Sequence, residues 1–259
     1  MALRGVIFDM GGTLLDYHPP APSAGEGWRA MEDLGADALR AFLLERGYPA
    51  PPAEEARQSA FTAMERQWRM IAEGKPVNPQ LGPILREVLL SWGLPENAAN
   101  DGLIDSAVAA YVAPAQALVR PLPGAAETLA ALRAQGLRLG LFSNTVWPGA
   151  FHLEDLARWG LAEYLDCAFF SADVGAWKPA RQVFQMTLEA LGLQPQEAAF
   201  VGDHPYFDVY GAQQAGLRGV LLKSAEWEAP PSGGLPITPD ATVTRLADLL
   251  PLVEAWRTS

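Results

Sequence analysis

Gly5-Val6-Ile7-Phe8-Asp9-Met10-Gly11-Gly12-Thr13-Leu14 is the stretch that decides how this sequence folds. A short apolar run stops at a carboxylate and two glycines, which reads as a buried strand entering a tight turn. Three further runs share the style, at residues 137–142, 198–201 and 219–222, each followed by small or polar residues. Helical patterns at 123–135, 180–191 and 208–215 lie between the later runs. Strand, helix, strand in this rhythm predicts a parallel sheet covered on both faces. A weaker run at 168–170 completes a Rossmann-like α/β core of five strands.

One long interruption breaks the rhythm. Residues 17–119 show apolar residues three and four apart and no strand, with helices expected at 37–46, 53–73, 81–92 and 102–118. The expected organisation is a sheet domain of residues 1–16 and 120–259, with an all-α cap inserted at 17–119. Proline-rich stretches such as 18–22 punctuate the insertion. Residues 228–239 read as an exposed loop before a last helix at 244–256.

Composition narrows the function. Of 259 residues, 49% are hydrophobic and 19% charged, the balance of a folded globular protein. A net charge of −11 and only three lysines, Lys75, Lys178 and Lys223, argue against nucleic acid, whose phosphates require clustered cations. The opening apolar run is too short for a signal peptide or membrane span. The single cysteine, Cys167, sits in an apolar run and fits a reducing compartment. The expectation is a cytoplasmic protein, a monomer or homodimer, with neither nucleic acid nor membrane as partner.

Open parallel sheets bind ligands outside the carboxyl ends of their strands. Asp9 follows the first strand, Ser143 and Asn144 the second, and Asp203 and Asp208 the fourth; Lys178 comes shortly after the third. Taken singly, Asp208 reads as a helix N-cap, Ser143-Asn144 as a turn and Lys178 as a solvated charge. Together, three carboxylates, two small hydrogen-bonding side chains and a lysine are expected at one sheet edge. An all-carboxylate metal set calls for a hard cation.

With these motifs in view, the chain resembles the haloacid dehalogenase superfamily of hydrolases, with an inserted helical cap. The resemblance rests on Phe8-Asp9-Met10-Gly11-Gly12-Thr13-Leu14, Ser143-Asn144, Lys178-Pro179, and Gly202-Asp203 with Asp208. It implies that Asp9 attacks phosphorus and forms an aspartyl-phosphate. Ser143, Asn144 and Gly12 would hold phosphoryl oxygens, and Lys178 would neutralise charge. Mg²⁺ would sit on Asp9, the Gly11 carbonyl and Asp203, with Asp208 supporting the metal or Lys178. The implied substrate is a small phosphorylated metabolite, over which the cap would close.

One departure bears on mechanism. The family's phosphatases usually carry Asp-x-Asp in the first motif, and here the second Asp is Gly11. That residue normally protonates the leaving oxygen and activates water. The readings left open are a phosphatase whose leaving group needs less help or that uses another acid/base (His18 or His204), a carbon–phosphorus hydrolase using Lys75 as a Schiff base, a carbon–halogen hydrolase, or a binder of phosphorylated ligands that does no chemistry. Trp28, Arg29, Arg66, Trp68 and Arg69 are candidate substrate contacts on the insertion, though aromatics at helical spacing also suit a core.

Overall fold

The computed structural model describes residues 2–17, 24–75, 77–223 and 236–258. The stretch 18–22, His18 included, and residues 228–235 of the expected loop lie outside them. In chain order the strands are β1 (Gly5–Phe8), β2 (Leu15–Asp16), β3 (Arg120–Pro121), β4 (Arg138–Ser143), β5 (Cys167–Phe170), β6 (Ala198–Gly202), β7 (Arg218–Leu222) and β8 (Ala241–Val243). The α-helices are α1 (Ala24–Glu45), α2 (Ala53–Ala72), α3 (Leu81–Ser91), α4 (Asp101–Leu118), α5 (Ala125–Ala134), α6 (Gly149–Arg158), α7 (Ser171–Val174), α8 (Arg181–Leu191), α9 (Gly211–Gln214) and α10 (Leu249–Thr258).

The main sheet runs β5-β4-β1-β6-β7-β8, every neighbouring pair parallel. It has six strands among the described residues where the sequence suggested five. The sixth, β8, is three residues long and half exposed, so it carries no buried apolar run to betray it. β1 is wholly buried between β4 and β6, in register Val6↔Leu139 and Val6↔Ala199. Gly5 is needed there, because a Cβ would lie 3.0 Å from the Arg138 carbonyl oxygen. From β1 the strand order proceeds to β4 and β5 on one side, then returns to β6 on the other. The carboxyl ends of β1, β4 and β6 therefore flank the reversal point, where such sheets leave a crevice. α8 and α9 cover one face through Val183, Phe184, Leu188 and Ala212, and Phe184 meets Phe200 edge-on at 5.2 Å. Truncating a buried aromatic of this kind costs about 3–5 kcal/mol.

The chain divides into two compact units. The sheet unit comprises 1–16, 120–145 and 152–259. It is clasped where the chain leaves and re-enters by the antiparallel β2–β3 pair, Asp16↔Arg120 and Leu15↔Pro121. The helical unit comprises 17–119 and 146–151. The sequence has no sign of that second segment, which joins the helices through Leu81 N–H to the Val146 carbonyl (2.7 Å) and a Tyr17–Trp147 edge contact.

α1 packs against α2 and α4. It runs from Ala24, well before the expected start at residue 37, where half-buried Trp28 and buried Glu32 tie the first turns down: Trp28 Nε1 and the Tyr111 hydroxyl both donate to Glu32. Two short helices, α6 and α7, escaped the sequence reading. The expected helix at 208–215 begins instead as a π-helix, Pro205–Tyr210, capped by His204. The last helix starts late, after a 3₁₀ turn at Leu246–Asp248.

Candidate active site

Asp9 follows β1 and is 8% exposed. Its turn is tied tightly: the Met10 carbonyl accepts from the N–H groups of Thr13, Leu14 and Leu15, and the Gly12 N–H donates to the Leu15 carbonyl (2.9 Å). Gly12 has φ +71°, and a Cβ there would lie 2.9 Å from Asp203 Cγ. Gly202 does the same for Asp208, whose Cβ would stand 2.6 Å from an added one. These glycines let carboxylates approach the backbone closely. The Gly12 N–H is engaged in the turn, and the absence of a Cβ there leaves room for Asp203. Gly11 differs: its φ is outside the left-handed region and a Cβ would meet nothing within 4 Å.

Asp9, Asp203 and Asp208 each bring a carboxylate oxygen within 4.8 Å of the others. Lys178 joins them. Its Nζ lies 2.8 Å from Asp9 Oδ1 and 2.7 Å from Asp208 Oδ1, and the side chain is 2% exposed. The contact with Asp208 is a hydrogen bond. The one with Asp9 is an ion pair, and among the described residues the buried Asp9 Oδ1 has no further hydrogen-bond donor. Asp208 Oδ2 accepts from the His204 N–H (2.8 Å). Asp208 thus sits inside the π-helix holding Lys178 and the loop, and His204 takes the N-cap place that the sequence suggested for Asp208. π-turns are rare in proteins and recur at functional sites.

Ser143 ends β4 opposite Phe170 and is buried. The Asn144 amide faces the Lys178 backbone, accepting its N–H at 2.8 Å and donating to its carbonyl at 3.1 Å. The Ser171 hydroxyl does likewise for Thr145, accepting its N–H at 2.7 Å and donating to its carbonyl at 2.9 Å. His152 Nε2 lies 2.8 Å from Thr145 Oγ1, and its ring stacks on Phe170. Sequence reading missed Ser171 and His152, although Ser171 stands at a strand end like the others. It also passed over Thr13, whose buried hydroxyl has no hydrogen-bond partner among the described residues.

Charge in this cluster is unbalanced: three carboxylates face one ammonium. Burial lowers the pKa of Lys178, but the charges of Asp208 and Asp9 outweigh it and hold the ammonium. Burial pushes Asp9 up, opposed by Lys178 and reinforced by Asp208. Asp203 is pushed well above the carboxylate range by enclosure and by the charges of Asp208 and Asp9. Buried carboxylates that resist ionisation because one ammonium serves three of them are a donor set suited to a hard divalent cation. Neither hydrogen bond of the Gly11–Leu15 bridge uses the Gly11 carbonyl.

The remaining candidates have other surroundings. His204 accepts from the Tyr206 and Phe207 N–H groups through Nδ1 (both 3.2 Å). Burial, helped by the nearby Lys178 charge, lowers its pKa to about 4. It is therefore a neutral imidazole at pH 7, with no imidazolium to act as acid. Lys75 is exposed and paired with Glu73 at 2.8 Å. Within the helical unit Arg29 pairs with Asp33, Arg66 with Glu87 and Arg69 with Glu65.

A family model, haloacid dehalogenase-like hydrolase, matches residues 3–216. The chain is 33% identical over 240 residues to a phosphoserine phosphatase of Thermus thermophilus, covering 85% of this chain and 88% of that one. It is 30% identical over 259 residues to a phosphoglycolate phosphatase of Yersinia pseudotuberculosis, covering 97% and 94%. Among solved structures, a 2-haloacid dehalogenase from Pseudomonas syringae superposes with a TM-score of 0.68 at 27% identity, covering 98% of each chain. Among the described residues no helix is long and apolar enough to cross a membrane. The match over residues 3–216, most of the chain, places it in the haloacid dehalogenase-like hydrolase family, and it is a hydrolase.

Proposed function

We propose that the chain is a Mg²⁺-dependent phosphatase of a small phosphorylated metabolite, with Asp9 as nucleophile. The observation that carries this reading is the unbalanced cluster, in which Asp9, Asp203 and Asp208 share the single buried ammonium of Lys178. Asp9, Asp203 and the Gly11 carbonyl would hold the ion. Bound there, Mg²⁺ would neutralise charge on the phosphoryl oxygens.

In the first step a carboxylate oxygen of Asp9 bonds to phosphorus while the ester P–O bond breaks, and the leaving oxygen departs with both electrons. Lys178 neutralises charge on Asp9 and the phosphoryl group, and Ser143 donates to a phosphoryl oxygen. In the second step water attacks phosphorus, the bond to Asp9 breaks and phosphate is released. Gly11 offers no side chain to protonate the leaving group or activate that water, so leaving groups that depart unaided react best. The helical unit is the proposed cap, and the relatives named for phosphoserine and phosphoglycolate point to small substrates.

A second reading is carbon–halogen cleavage, supported by the solved dehalogenase and by Gly11, since halide leaves without a proton. Asp203 opposes it, because without a cation that carboxylate stands beside two others with only Lys178 to balance all three. Carbon–phosphorus cleavage through Lys75 has less support, because an exposed, ion-paired lysine lacks the desolvation that activates an amine nucleophile. The test is a panel of phosphate esters and haloacids, each with Mg²⁺ and with chelator. Phosphate release that requires Mg²⁺ supports the proposal; halide release that survives chelation refutes it.

A further inference from the structure

The resemblance would have Asn144 grip phosphoryl oxygens, yet its side-chain oxygen and one of its two N–H donors are engaged elsewhere. Its Oδ1 accepts from the N–H of Lys178 and its Nδ2 donates to the carbonyl of the same residue, 34 positions along the chain. The amide orientation is unambiguous, since oxygen faces a donor and nitrogen an acceptor. A side-chain amide bonded to both ends of one residue takes the place of a neighbouring strand. Lys178 needs such a neighbour, lying outside regular structure between α7 and α8.

We propose that Asn144 is a positioning residue that clamps the backbone of Lys178 and so aims the Lys178 ammonium at Asp9. This rests on the phosphatase reading of the site for its catalytic consequence. The clamp has a firm base. Ser143 is in the β4–β5 ladder, the Ser171 hydroxyl holds both backbone groups of Thr145, and His152 is bonded to the Thr145 side chain. Lys178 is then fixed at its root by Asn144 and at its tip by Asp208, with the ammonium 5.0 Å from the centre of the Phe200 ring. Remove the root and the tip can follow Asp208 away from Asp9. Misplacing a charged group by about 1 Å costs on the order of 10²-fold in rate.

The test is a double-mutant cycle with Asn144→Ala and Lys178→Met, each checked for folding by thermal melting. Turnover of an aryl phosphate with Mg²⁺ and the inhibition constant of inorganic phosphate are measured for all four proteins. The expected result is a loss of about 10²-fold in kcat for Asn144→Ala, with no further loss when Lys178 is already Met. Equal losses in both backgrounds would mean that Asn144 acts on substrate directly and would overturn the proposal, as would unchanged kcat.

A second measurement does not depend on turnover. Among the three lysines, Lys75 and Lys223 are exposed, so the buried Lys178 ammonium should give a single slowly exchanging ¹⁵Nζ resonance in cold buffer. That resonance should shift or broaden in Asn144→Ala; an unchanged resonance overturns the clamp. If no ester turns over in the native chain, the phosphatase reading fails and this resonance alone decides the clamp.

Discussion

Gly11→Asp tests the chemistry at the position where the resemblance leads one to expect a second Asp and this chain has Gly. A Cβ at Gly11 meets nothing within 4 Å and the backbone is not left-handed, so the substitution should fold. Gly12→Ala is the matched control. There φ is +71° and the new Cβ would press on Asp203, so that variant should lose stability and metal affinity together. A positioned acid/base contributes about 10²–10⁴ in rate, equivalent to about 3–5 kcal/mol of barrier. Gly11→Asp should recover at least about tenfold of this, about 1.4 kcal/mol, because its geometry has not been tuned. The gain should be largest on alkyl phosphates, whose alkoxides need a proton, and small on the first step with aryl phosphates. Steady-state phosphate release on matched alkyl and aryl esters, with a pre-steady-state burst to separate the steps, reads both. A folded, Mg²⁺-binding Gly11→Asp that gains on no ester would refute the reasoning and favour a binding protein or a different bond.

The cluster and its supports can be probed separately. Asp203→Ala should weaken Mg²⁺ binding at least about tenfold by calorimetry, about 1.4 kcal/mol, since it removes one of few anionic oxygens; unchanged affinity would move the metal elsewhere. His152 should make folding acid-sensitive, because burial lowers its pKa from 6.5 to about 3. Between those values the unfolded chain binds a proton that the native chain refuses, so stability falls as pH drops below 6.5, by about 3 kcal/mol at pH 4.5. Denaturant unfolding of native protein and His152→Gln at pH 7 and 4.5 checks it, the variant losing less on acidification; equal losses would show that His152 is not the source.

Most of the sheet could be read from the chain because β1, β4, β6 and β7 are buried runs that end in polar residues. β8 could not, being short and half exposed after a stretch rich in proline and glycine. The gathering of Asp9, Asp203, Asp208 and Lys178 was legible from the polar residues at the strand ends, since parallel strands deliver their carboxyl ends to one edge. The finer division of labour was not. Asn144 turns to the Lys178 backbone and Gly12 makes room for Asp203, and both depend on long-range packing that local spacing does not encode. The helix expected at 208–215 is present but starts earlier and wider, as a π-turn from Pro205 in which Asp208 bonds Lys178 and the His204 N–H.

The most direct test of the account is the state of Asp9 during turnover. Native chain mixed with an aryl phosphate and Mg²⁺, quenched in acid and digested, should carry one phosphoryl group on the peptide containing Asp9. The label should accumulate, because Gly11 cannot hasten water attack on it, and Asp9→Asn should show none. A chain that releases phosphate with the label on another residue, or with none at any quench time, would contradict the assignment of Asp9 as nucleophile.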